Sequence, residues 1–174
     1  MKNRLLSLLL CGPLWALGCN NGLEPGPDCG PPPNFVVGAQ LQFCDLSNVF
    51  IGQRDLSGAD FSGANLNGAD MSGSSLNGAI LAVADLTGAS LTGCDLTGAD
   101  LTRANLLGAG VEGAFLRNAN LTGADLKVAD LQFSDFTGAT GQPLNANTAI
   151  YFGTICPNGV NSDDAGNTCV GQGF

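Results

Sequence analysis

The sequence has no histidine at all. That removes the side chain most used as a general base near neutral pH and the commonest nitrogen ligand for metals. A Ser-His-Asp or Cys-His site cannot be built from this chain. Charged residues are also scarce, at 12 % against roughly 25 % in ordinary domains. Only six are Lys or Arg, and the formal net charge is −9. A basic footprint for phosphates is therefore excluded, and no nucleic-acid partner is expected. Aromatic residues are few, with one Trp and one Tyr. What the chain does have is 26 glycines and a 44 % hydrophobic content. So much apolar residue is incompatible with a solvated, disordered chain. Abundant Gly with abundant apolar residue points to an internal repeat.

The first nineteen residues stand apart. Lys2 and Arg4 form a basic start, and an apolar run follows from Leu5 through Leu17. The run is too short to span a bilayer and has the build of a secretion signal. It ends Ala16-Leu17-Gly18-Cys19, which resembles a bacterial lipobox. That resemblance implies a lipidated Cys19 as the first mature residue and an outer-membrane lipoprotein. An ordinary cleaved signal, giving a periplasmic or secreted product, is the other reading of the same segment. Residues 20–38 follow and contain Pro25, Pro27, Pro31, Pro32 and Pro33. Such a composition reads as a semi-extended tether.

From Ala39 to Gly138 the chain falls into twenty pentapeptides without an insertion. The third position is Leu in 15 of them, and the first is Ala in 14. A period of five belongs to neither a helix at 3.6 nor a strand at 2. An amphipathic helix would smear these leucines around its circumference.

The pattern resembles the pentapeptide-repeat family, A(D/N)LXX. The resemblance implies an all-β chain: a right-handed quadrilateral parallel β-helix, with one pentapeptide per side and about five coils over 39–138. It places the third-position residue and the small first-position residue inward, and the other three outward. Residues twenty apart then share a column. One core column is Leu46, Leu66, Leu86, Leu106 and Leu126; another is Leu56, Leu76, Leu96, Leu116 and Phe136. Arg54 breaks the inward pattern, but in the first coil, where its head can escape past the open end. Ten aspartates, Asp45, Asp55, Asp60, Asp70, Asp85, Asp95, Asp100, Asp125, Asp130 and Asp135, occupy the second position. They read first as turn chemistry, with a DNA-like acidic surface as the functional alternative. Outward apolar residues (Phe43, Phe50, Ile80, Val83, Leu107, Phe115, Val128, Phe133) are scattered.

Residues 139–174 read as a cap. Cys156 and Cys169 flank a polar loop and are the natural disulfide of an exported chain; Cys29 and Cys44 are a second candidate pair that would pin the tether. Cys94 is inward and too far from Cys44 to pair, so a buried thiol is expected. Tyr151, Phe152 and Ile155 are expected to lid the last coil. Asn161, Asp163 and Asp164 are weak oxygen ligands for calcium, without EF-hand spacing. No catalytic residue, cofactor or resident metal is expected. Three functions compete: a lipid-anchored envelope module contacting another envelope protein or surface component, an inhibitor of DNA gyrase by DNA mimicry as in some members of the family, and a calcium-binding envelope protein.

Overall fold

The computed structural model describes Cys29 and residues 35–174; the signal, Cys19 and most of the tether lie outside the described residues. The chain winds as a four-sided parallel β-helix. Each pentapeptide contributes one parallel bridge at its second residue, to the residue twenty positions on: Gln40 to Asp60, Asp60 to Ile80, Ile80 to Asp100, and so around all four sides. Faces 1, 2, 3 and 4 begin at Ala39, Cys44, Val49 and Arg54 and recur every twenty residues.

The local reason for the corners is a hydrogen-bonded turn. The amide of the first-position residue donates back to the carbonyl three residues earlier, as Ala64 does to Phe61 at 2.9 Å, except at Arg54, whose amide bonds Ser74 Oγ at 3.2 Å. The fifth residue, third in that turn, has positive φ, as Gly63 does at 64°. This is the type II pattern, which favours Gly or Asn at that place. Between corners, each side gives three backbone hydrogen bonds to the next coil. Leu66, for example, donates to Asp85 at 2.7 Å, Gly68 to Thr87 at 2.9 Å, and Asp85 to Ala64 at 2.9 Å.

The interior is a set of stacked columns. Leu46, Leu66, Leu86, Leu106 and Leu126 are all buried, as are Leu56, Leu76, Leu96, Leu116 and Phe136. The other two columns are Leu41, Phe61, Leu81, Leu101, Leu121 and Ile51, Met71, Leu91, Val111, Leu131, also buried. Ala at the first positions fills the space between them. Truncating one such Leu to Ala costs about 2–5 kcal/mol in a packed core.

The ladder does not stop at Gly138, where the cap was expected to begin. Asn120 bridges Thr140, Asp125 bridges Leu144, Asp130 bridges Ile150 and Asp135 bridges Ile155. A further turn of the helix is therefore built from a segment without the repeat. The register slips on the way: Leu144 sits nineteen residues after its partner, not twenty. Gly141 (φ 102°) turns the shortened side. A short 3₁₀ turn at Ala146–Thr148 returns the missing residue. Ala146, Tyr151 and Cys156 then continue three of the four core columns and are buried.

Candidate functional site

A filled tube offers its outer faces and its two ends. On the faces, the second-position carboxylates perform turn chemistry. Asp60 Oδ1 accepts the Ser62 amide at 2.9 Å and its hydroxyl at 2.6 Å. The same pair of bonds recurs at Asp55, Asp85, Asp100 and Asp135. The Ser57 hydroxyl and amide hold the Asp55 carboxyl below its ordinary value, and Ser72 does the same for Asp70. At Asp135 partial burial pushes the other way; the Thr137 hydroxyl and amide and Arg117 outweigh it, and the net shift is downward. Arg117 Nε donates to Asp135 Oδ2 at 2.6 Å, while its guanidinium lies 5.4 Å from the Phe115 ring centre.

No two of the ten aspartates stack on each other. Asp60 and Asp100 are separated by Ile80, Asp55 and Asp95 by Ser75, Asp95 and Asp135 by Phe115, and Ser90 follows Asp70. Face 2 alternates outright: Asp45, Asn65, Asp85, Asn105, Asp125. There the amide of each asparagine donates down to the carboxylate below: Asn65 to Asp45 at 3.0 Å and Asn105 to Asp85 at 3.2 Å. Like charges one strand spacing apart, about 4.8 Å, are avoided throughout. The signal for this was available as the twenty-residue offset, applied to polar positions as it was to leucines.

A second feature escaped the sequence reading. Four of the first positions of face 4, Ser74, Cys94, Ser134 and Thr154, are polar and lie inside the core, with Ala114 between the two pairs. Ser74 Oγ donates to the Ile51 carbonyl at 3.0 Å, Cys94 Sγ to Met71 at 3.0 Å and Thr154 Oγ1 to Leu131 at 2.8 Å. Ser134 Oγ also donates to Leu131. Ser74, Cys94 and Thr154 reach a corner carbonyl of the coil below, Ser134 that of its own turn, and each so pairs its own buried donor. Burial pushes the Cys94 thiol up to about 11, so it is a weak donor and a poor nucleophile.

The ends are fastened. Cys29 is disulfide-bonded to Cys44 of the first coil, Cα–Cα 5.5 Å. Arg54 is exposed at that end, its guanidinium 6.0 Å from the Phe35 ring centre. At the other end Cys156, in the core column above Phe136, is bonded to Cys169, Cα–Cα 5.2 Å. The Phe174 ring lies edge-on to Phe136 at 5.5 Å. Tyr151 is buried, with its hydroxyl on the Ala146 carbonyl at 3.0 Å. Phe152 and Ile155 do not lid the coil as expected: Phe152 is half-exposed against Phe133, and Ile155 occupies an outward bridge position. Phe174 and the Cys156–Cys169 bridge take that place. The reason is register: Phe152 and Ile155 fall on outward positions of the further turn.

The oxygen ligands are engaged within the tail. Asp163 Oδ1 accepts the Gly153 amide at 2.8 Å, and Asn161 Oδ1 accepts the Asp163 amide at 2.9 Å. Asp164 is exposed. Among the described residues no group of three His, Cys, Asp or Glu is placed to hold a metal.

The family described as Pentapeptide repeats matches in eight copies, over residues 37–78, 55–89, 79–118 and 111–140. Among the solved structures similar to this chain are the following two. One is a pentapeptide repeat protein, Rfr23, from the cyanobacterium Cyanothece 51142, with 27 % identity and a TM-score of 0.52, covering 63 % of this chain and 88 % of that one. The other is HetL from the cyanobacterium Nostoc sp. strain PCC 7120, described as involved in heterocyst differentiation regulation, with 31 % identity and a TM-score of 0.53, covering 69 % of this chain and 65 % of that one. QnrB1, a plasmid-mediated fluoroquinolone resistance protein, is more distant, at 22 % identity and a TM-score of 0.38 over 64 % of this chain and 67 % of that one. No curated protein sequence matches the chain. Parallel bridges every five residues, four sides to a coil and a match over most of 37–140 lead to one conclusion: the chain belongs to the pentapeptide repeat family, whose members form right-handed quadrilateral β-helices.

Proposed function

We propose that this is a non-catalytic, exported interaction module: a rigid rod held to the outer membrane by a lipid on Cys19, presenting its faces to another envelope protein or surface component. The observation that carries the reading is the pair of disulfides, one clamping each end of the rod. Disulfides persist in oxidising compartments and are rare in the cytosol. The apolar run before Cys19 and the tether after it supply the route and the leash. The alternation of acids with neutral residues weighs against the gyrase-inhibitor reading, because it keeps the second-position carboxylates of a face at least two coils apart, about 10 Å, where duplex DNA carries a charge every ~1.7 Å. The engagement of Asp163 Oδ1 by the Gly153 amide weighs against calcium.

The test is membrane fractionation with intact-mass measurement, native protein against Cys19→Ala. A lipid-sized mass increase and membrane partitioning, both lost in Cys19→Ala, are expected. A product with an intact N-terminus in the cytosol overturns the reading and puts a gyrase supercoiling assay first.

A further inference from the structure

We infer that the N-terminal end of the rod is itself a membrane-contact surface, seated end-on on the bilayer interface. The inference rests on the lipid-anchor reading above and adds the orientation of the rod.

Two observations carry it. The first is where exposed apolar side chains sit. Residues 35–38 pass beneath 55–58 on face 4, where the Gly38 amide bonds the Ser57 carbonyl at 2.9 Å. There Val36 and Val37 are 46 % and 61 % exposed. Phe43, at the corner of faces 1 and 2, is 82 % exposed, and Phe50 on face 3 is 75 % exposed. These phenylalanines are the most exposed large apolar residues among those described, and both are in the first coil. With the two valines they are distributed around the rim of the tube, not along one side. A patch for a protein on the flank of the rod would run down a face. A ring around one end meets a flat surface. The opposite end also carries exposed apolar side chains, with Leu144 at 56 % and Ile150 and Phe152 at 50 %. None reaches the exposure of Phe43 or Phe50, and face 4 at that end is covered by the tail, with the Thr154 amide on Ser162 Oγ at 3.1 Å and the Cys156 amide on Val160 at 2.8 Å.

The second observation is the length of chain between the anchor and the rim. The tether spans 20–38 by composition, but the Cys29–Cys44 disulfide fixes the first coil to position 29. Only residues 20–28 then separate the lipidated Cys19 from the rod. Ten steps of extended chain reach at most about 36 Å, roughly half of what the whole tether would allow. A short leash gives a local concentration near the millimolar range, so a contact too weak to hold alone is occupied. Aromatic and aliphatic side chains at the headgroup boundary bind with their buried apolar area.

The test uses tryptophan, because Trp15 is the sole one in the sequence and leaves with the signal. The full-length protein is expressed with Phe43→Trp, Phe50→Trp or Phe133→Trp, processed, and reconstituted into phosphatidylethanolamine/phosphatidylglycerol vesicles carrying brominated acyl chains. Intact mass is read on each preparation. Phe133 shares the fifth-position, positive-φ backbone of Phe43 but lies at the far end. With a lipid-sized mass present, the expected result is blue-shifted, bromine-quenched emission from Phe43→Trp and Phe50→Trp and unquenched emission from Phe133→Trp. A lipidated protein with Phe43→Trp and Phe50→Trp unquenched, or with all three quenched alike, overturns the end-on contact and leaves the anchor standing. An unlipidated protein overturns the anchor and the contact with it.

Discussion

The side-chain amide of Asn65 donates to Asp45 Oδ1 one coil below, at 3.0 Å. Asn65 also repeats the turn chemistry of an aspartate, accepting the Asn67 amide at 3.2 Å. Asparagine is therefore the residue that does both jobs where a second carboxylate would face the first. The relation holds again at Asn105 over Asp85, and at Asn120 over Asp100 at 3.4 Å.

Asn105→Asp tests this arrangement, since Asp85 lies below it and Asp125 above. The introduced carboxylate keeps the turn but loses the donor and faces two like charges. Its folded pKa is raised above the unfolded value of about 3.9. The penalty is therefore present at neutral pH and disappears as pH falls through the raised folded value. A loss of about 1 kcal/mol is expected at pH 7, given the exposed position. Urea unfolding of Asn105→Asp and its parent at pH 7 and pH 3 checks it. An equal difference at both pH values would mean that charge is not the reason for the alternation.

The repeat made the columns legible. Five-residue spacing with Leu at the third position rules out an amphipathic helix or a simple strand; the four-sided coil is what the family resemblance implies, and Leu46 to Leu126 stack as the twenty-residue offset requires. Cys94 was placed inward by the same register. What was not legible lies where the repeat fails. Nothing in Gly141-Gln142-Pro143-Leu144 announces a continuing coil, because a side one residue short has no apolar residue at its third position. The role of the polar residues Ser74, Cys94, Ser134 and Thr154 was hidden for another reason. Each residue reads alone as a tolerated small substitute for Ala, and only stacking shows that Ser74, Cys94 and Thr154 reach a carbonyl of the coil below.

Gly141 is the hinge of that shortened side, and Gly98 is an ordinary corner. Both have positive φ, at 102° and 68°. A Cβ on Gly98 meets nothing within 4 Å, whereas one on Gly141 runs into the Thr122 backbone, 2.7 Å from its Cα. Gly98→Ala should therefore cost only the left-handed backbone penalty, about 1 kcal/mol. Gly141→Ala adds a collision that only backbone movement relieves, and should cost clearly more and loosen the last turn. Chemical denaturation, with amide exchange at Leu144 and Ile150, separates the two effects.

Val83 occupies a fifth position with φ 61°, a backbone region that β-branched residues rarely enter. Asn48 and Asn118 occupy the same place in other coils, at 55° and 57°. Val83→Asn should stabilise the rod by roughly 0.5–1 kcal/mol, because asparagine tolerates this region and the exposed Val side chain gives up little packing. An unchanged or lowered melting temperature would show that the Val83 side chain makes contacts worth more than the strain.

Cys94 gives a probe of whole-rod stability. Its thiol is buried, pushed up to about 11 by that burial, and donates to Met71. Thiolate is the reactive form, so in the folded protein an aromatic disulfide reagent should find this sulfur unreactive at pH 8. A solenoid is close to a sum of coil and interface terms, and it opens most readily from its ends. Cys94 is in the third coil, away from both. Its labelling rate in increasing urea should therefore follow the central coils and lag behind amide exchange at Ile150, whose amide is bonded to Ala129 in the last turn. Cys94→Ser keeps the hydrogen bond that Ser74 makes one coil earlier, and should fold normally while losing all labelling once the two disulfides are intact. Rapid labelling of the native protein would mean that the central coils open locally, and that the rod is less rigid than its packed columns imply.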